Sequence, residues 1–221
     1  MAFYVDSAYI DDITTIIQTV PLSGVTTNPS LLLEARQRGQ SLEVLEVLTQ
    51  LLKHVNGTIF MQPSLADEAR AYHETLSYIE LNPERIVPKI PMSQAGMRLA
   101  RHLHGEGYHI AFTAVTTVAQ AYAASAMGAT YIIPYYNRLR RSGIDPGERI
   151  TQMAQVLARQ SHPTRILAAS IKSSLEATEA LLNGAHDLTL APACLLDMLK
   201  DPQSEEAIAR FELDWQKMKN L

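Results

Sequence analysis

Short apolar runs alternate along this chain with longer segments in which apolar residues recur every three or four positions. The short runs are rich in β-branched and aromatic residues, which is typical of strands, whereas the longer segments have the period of amphipathic helices. Two clear helical segments are SLEVLEVLTQLLKHV at 41–55 and SLADEARAYHETLSYI at 64–79. The pattern predicts eight strands, at 3–6, 22–28, 58–62, 85–90, 109–115, 130–136, 165–170 and 186–191.

Helix-start signals support this alternation. Asp145-Pro146 and Asp201-Pro202 each set a capping carboxylate before a proline suited to the first helical position. Ser173 and Glu176 have the spacing of a capping box. Strands that alternate with helices form parallel sheets, and eight such units in 221 residues favour a closed barrel over an open sheet. We therefore predict an α/β fold, a single (β/α)8 TIM barrel.

A further segment follows the eighth predicted strand–helix unit. No low-complexity linker divides the sequence, so we expect one domain over 1–221, with an extra C-terminal helix at 203–221. Ile208, Phe211 and Trp215 recur at helical spacing in this segment. Such an apolar stripe needs a partner surface, which is either the barrel of the same chain or a neighbouring subunit.

Composition narrows the classes of function. The net charge is −4 and 47% of the residues are hydrophobic, as in an ordinary globular protein. No apolar run approaches the ~20 residues that a membrane helix requires, and the acidic balance gives no electrostatic basis for binding nucleic acid. Because the N-terminal residues lack the basic start and apolar run of a signal peptide, we expect a cytoplasmic protein.

Polar side chains follow most of the predicted strands, where the active-site loops of a barrel begin. Each of them alone has an ordinary explanation as a helix cap, a turn residue or part of a solvated loop. Together they end seven of the eight predicted strands and could converge at one mouth. They are Asp6, Thr26, Asn28, Gln62, Lys89, Thr113, Tyr135, Asn137, Arg138, Ser170 and Lys172.

The stretch RIVPKIPM places Lys89 inside an apolar run. On a strand, Lys89 shares its face with Val87. Ile86 and Ile90 lie on the opposite face, so neither face is predicted to contact water. Burial disfavours the ammonium form and makes a lysine amine a nucleophile suited to Schiff-base chemistry. The alternative interpretation is a structural ion pair between Lys89 and Asp6.

Six short motifs stand in order along essentially the full chain. They are GVTTNPSLL at 24–32, IVPKIPM at 86–92, FTAV at 112–115, PYYNR at 134–138, LAASIK at 167–172 and FELDWQ at 211–216. In sequence and order these motifs resemble the transaldolase family, and most closely its small fructose-6-phosphate aldolase branch. The resemblance implies a (β/α)8 barrel whose fourth strand carries a Schiff-base lysine, with no metal and no organic cofactor.

The resemblance also implies a role for each residue at the mouth. Lys89 matches the nucleophile that condenses with a ketose or ketone donor, and Asp6 matches the carboxylate that moves the hydroxyl proton beside the cleaved bond. The other positions match residues that line the pocket (Thr26 and Asn28), hold a catalytic water (Gln62, Thr113 and Tyr135) or bind the substrate phosphate (Arg138, Ser170 and Lys172). A protonated imine stabilises the carbanion left by C–C cleavage, so these roles are chemically consistent.

Gln62 and Tyr135 bear on which branch the chain resembles. Transaldolases have glutamate and phenylalanine at these positions, whereas the aldolase branch has the pair found here. A tyrosine hydroxyl beside a water provides a proton route that phenylalanine lacks. We therefore predict a class I aldolase (an aldehyde-lyase) that converts fructose 6-phosphate to dihydroxyacetone and glyceraldehyde 3-phosphate. The alternatives are a transaldolase of the pentose phosphate pathway, and a non-catalytic sugar-phosphate binding barrel.

Three features depart from the family pattern. Pro88 replaces a β-branched residue before Lys89 and removes a ladder donor, which predicts a bulge in the fourth strand. Ile133 replaces an alanine and predicts a narrower pocket. The basic segment RLRRSGID at 138–145 is expected to face solvent. Members of the family assemble as pentamers or decamers, so the resemblance further implies a homo-oligomer with a small sugar phosphate as its substrate.

Overall fold

Eight parallel strands close into a barrel in this computed structural model, which describes residues 1–220. Each strand pairs with its two neighbours in sequence, and β8 returns to β1. The strands are β1 (Phe3–Asp6), β2 (Gly24–Thr26), β3 (Thr58–Met61), β4 (Ile86–Pro91), β5 (Ala111–Val115), β6 (Tyr131–Pro134), β7 (Arg165–Ile171) and β8 (Asp187–Leu190). The predicted (β/α)8 TIM barrel is confirmed, and all eight predicted strands are present with ends within two residues of the prediction.

One or two helices follow each strand. In the described part of the chain they are α1 (Ile10–Ile16), α2 (Pro29–Gln37), α3 (Val44–His54), α4 (Glu68–Ile79), α5 (Gln94–Gly105), α6 (Val118–Ala126), α7 (Tyr136–Arg141), α8 (Pro146–Leu157), α9 (Ser174–Leu182), α10 (Pro192–Asp197) and α11 (Pro202–Lys219). Of the described helices, none combines the length and apolarity that crossing a membrane requires.

The helix caps agree with the sequence patterns, with one difference. Asp145 and Asp201 accept hydrogen bonds from backbone N–H groups in the first turns of α8 and α11. Ser173 caps α9 by accepting from the Glu176 N–H at 3.2 Å. The Glu176 side chain does not complete a capping box, because it accepts from the Lys172 N–H at 2.9 Å, one residue before the cap. Glu176 therefore holds the loop that leaves β7.

Buried side chains form two layers that explain how the mouth is built. Ile86 and Ile90 of β4 belong to the outer layer, between the barrel and the helices. The inner layer fills the barrel interior with Tyr4, Phe60, Val87, Ala111, Ile133, Leu167 and Ala169. Because side chains alternate along a strand, the residue two positions after an inner-layer residue also points inward, nearer the mouth. This rule directs Lys89 inward above Val87.

Pro88 causes no bulge in β4. The strand pairs with β3 over Ile86–Pro88 and with β5 over Lys89–Pro91, with no shift of register. The proline therefore lies where the pairing of β4 with β3 ends and its pairing with β5 begins. The missing N–H interrupts neither pairing. The predicted bulge at Pro88 is wrong.

The irregular backbone lies instead in β5 and β7. The register shifts between Thr113 and Val115, and again between Ala168 and Ile171. Within these shifts Ala114 and Ser170 have φ angles of 58° and 59°. A left-handed backbone costs a non-glycine residue roughly 1–2 kcal/mol, and such strain commonly occurs at functional sites.

Helix α11 lies apart from the core. The predicted segment 203–221 forms this helix up to Lys219, and Leu221 lies outside the described residues. No residue of α11 is buried, and Phe211 and Trp215 are each 55% exposed. Of the two predicted partner surfaces, the barrel of the same chain is therefore not the one that α11 covers.

Candidate active site

A cavity of about 480 Å³ opens at the carboxyl ends of the strands. The structure brings all ten predicted site residues to its wall. They are Asp6, Thr26, Asn28, Gln62, Lys89, Thr113, Tyr135, Arg138, Ser170 and Lys172. Asn137, a further polar residue considered from the sequence, turns away from the cavity and donates to Glu176 at 3.0 Å. One mouth therefore collects groups from seven strands and their following loops.

A second, larger groove of about 620 Å³ lies on the outside of the barrel, between α4 and α5. Four of its polar groups are paired with one another at the surface. Arg98 binds Glu68 at 2.6 Å, and the Tyr72 hydroxyl donates to Glu106 at 2.6 Å. The mouth, which contains a buried amine, is the better candidate for chemistry.

Lys89 is the buried amine at this mouth. Its side chain points into the barrel and the residue is only 3% exposed. Burial lowers the pKa of Lys89 from 10.5 to about 8, and the nearby Asp6 carboxylate only partly opposes this shift. A pKa near 8 leaves roughly a tenth of the amine uncharged at pH 7, against well under a thousandth for an exposed lysine. A fraction of the Lys89 amine is thus uncharged at neutral pH.

The alternative interpretation of Lys89, a direct ion pair with Asp6, is not found in the structure. Among residues 1–220, no salt bridge and no side-chain hydrogen bond involves Lys89, and the effect of Asp6 on its pKa acts through space. A direct pair would stabilise the ammonium, so its absence is consistent with the lowered pKa of Lys89.

The Asp6 carboxylate is held instead by a chain of threonine hydroxyls. Thr26 of β2 donates to Asp6 Oδ1 at 2.6 Å, and the Thr26 and Thr189 Oγ1 atoms are also 2.6 Å apart. A hydroxyl has a single proton, so Thr26, which donates to Asp6, must accept from Thr189. The direction of the chain is therefore from β8 through β2 to β1.

Thr189 is a site residue that the sequence interpretation missed. It is 1% exposed and lines the cavity from within β8. The expected place of active-site groups in a barrel is the end of each strand, and Thr189 precedes the end of its strand. On the predicted strand, Thr189 lies two residues after Asp187 and therefore on the same face. This polar face was the signal that could have found Thr189.

Two further hydroxyls meet on the opposite wall. Thr113 Oγ1 and the Tyr135 hydroxyl oxygen are 2.8 Å apart, and Gln62 lines the same cavity. The guanidinium carbon of Arg138 lies 4.6 Å from the centre of the Tyr135 ring. Stacking of this kind restrains the arginine while leaving its N–H groups free to bind a ligand.

Asn28 serves as a cap and also lines the mouth. Its Oδ1 accepts from the Leu31 N–H at 3.0 Å at the start of α2. This bond occupies the oxygen and leaves the amide NH2 group as donor toward the cavity. The ordinary explanation of Asn28 as a cap and its predicted place in the pocket are thus compatible.

Most residues of the basic segment 138–145 are exposed, as predicted. Arg138 lines the cavity. Arg140 forms salt bridges with Glu176 at 3.0 Å and Glu179 at 2.9 Å. The expectation of a solvated segment is therefore confirmed for most of its residues. It did not include the pairing of Arg140 with carboxylates of α9, which lie far along the sequence.

Comparisons with known proteins agree with this fold and site. The family described as Transaldolase/Fructose-6-phosphate aldolase matches residues 3–221. A probable fructose-6-phosphate aldolase of Streptococcus pneumoniae is 33% identical over 217 residues, which cover 97% of this chain and 96% of that protein. A probable transaldolase of Bacillus cereus is 30% identical, with 98% of both chains covered. A probable transaldolase of Oceanobacillus iheyensis is 32% identical, covering 99% of this chain and 100% of that protein.

The structure defines the class of protein: a (β/α)8 barrel with a buried lysine at a polar mouth. The matches define its family. The chain belongs to the transaldolase/fructose-6-phosphate aldolase family. Its relatives carry both names.

A solved structure shows likeness of fold alone. A mandelate oxidase mutant with a monooxide FMN adduct matches with a TM-score of 0.60 at 12% identity, covering 86% of this chain. The match covers 64% of that longer chain. At this identity, the likeness extends to the barrel and not to the chemistry.

Proposed function

We propose that this protein is a class I aldolase that forms a Schiff base through Lys89 and cleaves or forms a C–C bond in ketose phosphates. The proposed reaction converts fructose 6-phosphate to dihydroxyacetone and glyceraldehyde 3-phosphate, without a metal or an organic cofactor. The observation that carries the proposal is the burial of Lys89, with a pKa lowered to about 8, at a mouth lined by a carboxylate and hydroxyls.

The first half of the proposed reaction breaks the sugar. The neutral Lys89 amine adds to the C2 carbonyl, and loss of water gives a protonated imine. Asp6 then takes the proton of the C4 hydroxyl while the C3–C4 bond breaks. The bonding electrons pass into the imine to form an enamine, and glyceraldehyde 3-phosphate leaves as the aldehyde. The bond from Thr26 to Asp6 at 2.6 Å holds the carboxylate in its orientation.

The second half of the proposed reaction releases the ketone. Reprotonation of the enamine at C3 regenerates the imine, and water then hydrolyses it to dihydroxyacetone and free Lys89. Gln62, Thr113 and Tyr135 would hold the water that supplies these protons. The Thr113 and Tyr135 hydroxyl oxygens are 2.8 Å apart. This contact supports the role, because it fixes two hydroxyl groups side by side where a water could bind to both.

The far end of the substrate would bind at the cationic side of the mouth. Arg138, Ser170 and Lys172 line the cavity there. A guanidinium, a hydroxyl and an ammonium together match the charge and the acceptor oxygens of a phosphate dianion.

Trapping of the Schiff base tests the proposal directly. Borohydride treatment with dihydroxyacetone should add one reduced substrate fragment to the native protein, measured by mass spectrometry, and none to Lys89→Met. Native protein without an adduct would overturn the Schiff-base mechanism and favour a non-catalytic sugar-phosphate binding barrel.

A transaldolase remains the second candidate, because the B. cereus and O. iheyensis relatives are named as probable transaldolases. Incubation with fructose 6-phosphate alone separates the two activities. Release of glyceraldehyde 3-phosphate without an acceptor supports the aldolase. Turnover only after addition of erythrose 4-phosphate would identify a transaldolase.

We further infer that the protein acts as a single-domain subunit of a cytoplasmic homo-oligomer, in which α11 packs on a neighbouring subunit. The exposed Phe211 and Trp215 on a helix without buried residues support this assembly, since large apolar stripes are rarely left to solvent.

A further inference from the structure

A buried carboxylate outside the cavity joins the two segments that carry the cations of the mouth. Glu176 lies in the first turn of α9 and is 5% exposed. A buried carboxylate is costly unless its oxygens have partners. Both oxygens of Glu176 have them, from two different parts of the chain.

One oxygen of Glu176 binds the helix that follows β6. Its Oε1 accepts from Asn137 Nδ2 at 3.0 Å and from Arg140 Nη1 at 3.0 Å. These two residues flank Arg138 on α7, which is only six residues long. The position of Arg138 at the mouth is therefore set partly by Glu176.

The other oxygen binds the loop that follows β7. Glu176 Oε2 accepts from the backbone N–H of Lys172 at 2.9 Å. This loop begins directly after Ile171, the last residue of β7, and the preceding residue Ser170 has a φ angle of 59°. The sheet joins the two segments at the bridge between Tyr135 and Ala169. Past that bridge, Glu176 ties them together a second time.

Glu176 also determines which arginine is available to a ligand. Arg140 is bound by Glu176 and by Glu179. Arg138 has no salt bridge within residues 1–220 and stacks on the Tyr135 ring at the cavity wall. The charge of Arg138 is thus kept for a ligand, whereas that of Arg140 is used inside the protein.

We propose that Glu176 is a positioning residue for the phosphate of the substrate, because it ties together the two segments that carry Arg138 and Lys172 at the wall of one cavity. The inference rests on the proposed aldolase function and adds a specificity to it. Glu176 makes the enzyme prefer phosphorylated aldehydes over unphosphorylated ones, although it contacts neither the substrate nor Lys89.

The test compares two aldehydes in the direction of C–C bond formation, with dihydroxyacetone as donor. In Glu176→Gln an NH2 group, which cannot accept a hydrogen bond, replaces one of the two carboxylate oxygens. Either the bond from the Lys172 N–H or the bonds from α7 are therefore lost. We expect KM for glyceraldehyde 3-phosphate to rise about tenfold, the loss of roughly one charge-assisted hydrogen bond. For unphosphorylated glyceraldehyde, kcat/KM should stay within about twofold of the native value, because positioning acts only on the phosphate.

Glu179→Gln is the matched control. Both variants remove one negative charge beside Arg140, so both shift the potential at the mouth in the direction that favours anion binding. Glu179 has no hydrogen bond to Lys172; it accepts from Arg140 at 2.9 Å and from the Tyr136 hydroxyl at 2.7 Å. We expect KM for glyceraldehyde 3-phosphate to stay unchanged or to fall in this variant. An equal rise of KM in both variants would overturn the proposal.

A second variant keeps the test valid if Glu176→Gln fails to fold. A binding measurement keeps it valid if the protein does not catalyse C–C bond formation. Asn137→Ala removes one bond to Glu176, whose buried carboxylate stays paired with Arg140 and with the Lys172 N–H, and it should raise the same KM about threefold. Binding of inorganic phosphate, measured by calorimetry, should weaken by similar factors in Glu176→Gln and Asn137→Ala. Equal losses for both aldehydes, or unchanged phosphate affinity, would contradict a positioning role. A native protein that binds phosphate but forms no borohydride adduct would refute the aldolase function alone.

Discussion

The hydroxyl groups of Thr113 and Tyr135 lie 2.8 Å apart at the mouth of the barrel. Thr113 belongs to β5, and Tyr135 directly follows β6. Phenylalanine at position 135 would leave Thr113 without this partner and the cavity without a phenol. The pair is therefore the part of the site on which the proposed distinction between aldolase and transaldolase depends.

Removal of that phenol should change the fate of the enamine. In Tyr135→Phe with Gln62→Glu, we expect release of dihydroxyacetone from fructose 6-phosphate to fall about a hundredfold, because reprotonation loses its general acid. Transfer to erythrose 4-phosphate should persist, since it needs no proton at C3. Both products can be followed by coupled enzyme assays. If release and transfer decline together, the hydroxyl has another role.

The lowered pKa of Lys89 predicts a dependence of activity on pH. Schiff-base formation requires the neutral amine, so kcat/KM should rise with pH and level off above about 8, the pKa of the buried amine. A pH series of initial rates with dihydroxyacetone and glyceraldehyde would show this limb. An acid limb with its midpoint near 10 would mean that Lys89 behaves as an exposed lysine.

The same shift predicts that Lys89 destabilises the fold. Its pKa is about 8 in the folded state and 10.5 in the unfolded chain, so the unfolded state binds more protons between these values. The penalty is complete below pH 8 and disappears as the pH rises toward 10.5. Lys89→Met should therefore increase the free energy of unfolding by about 1–3 kcal/mol at pH 7, and by little at pH 10.5. Urea unfolding at the two pH values measures the difference, and a gain independent of pH would point to packing instead.

The hydroxyl chain to Asp6 predicts a graded effect at Thr189. Thr189→Val keeps the shape of the side chain but removes the donor to Thr26, which lies at 2.6 Å. We expect kcat to fall about three- to tenfold, the loss of one buried hydrogen bond. Thr189→Ser retains the hydroxyl and should keep most of the activity. A loss in Thr189→Ser with full activity in Thr189→Val would indicate that the methyl group, and not the hydroxyl, matters.

The exposed stripe of α11 predicts an assembly that depends on it. Trp215→Glu should shift the protein to a smaller species in size-exclusion chromatography with light scattering, because a charge is costly in a buried interface. Ala209→Glu adds the same charge on the opposite face of α11 and serves as the control. A native protein that is already monomeric would refute the inferred homo-oligomer.

Local patterns were sufficient for much of the fold. The alternation of Val87 and Lys89 against Ile86 and Ile90 correctly divided β4 into an inner and an outer face, because that period is a property of the strand itself. The prediction of a bulge at Pro88 failed. A proline disrupts a sheet only where its N–H would have been used, and that depends on how the neighbouring strands are paired.

The sequence by itself determined the strand–helix alternation, the inward direction of Lys89 and the set of polar residues at the strand ends. Only the tertiary structure decided which of these groups act together. Thr189 reaches Thr26 across 163 positions of sequence, and Glu176 reaches Asn137 across 39. Such contacts arise when barrel closure and helix packing bring distant segments to one mouth. No period or spacing along the chain contains that information, because it depends on closure of the whole sheet.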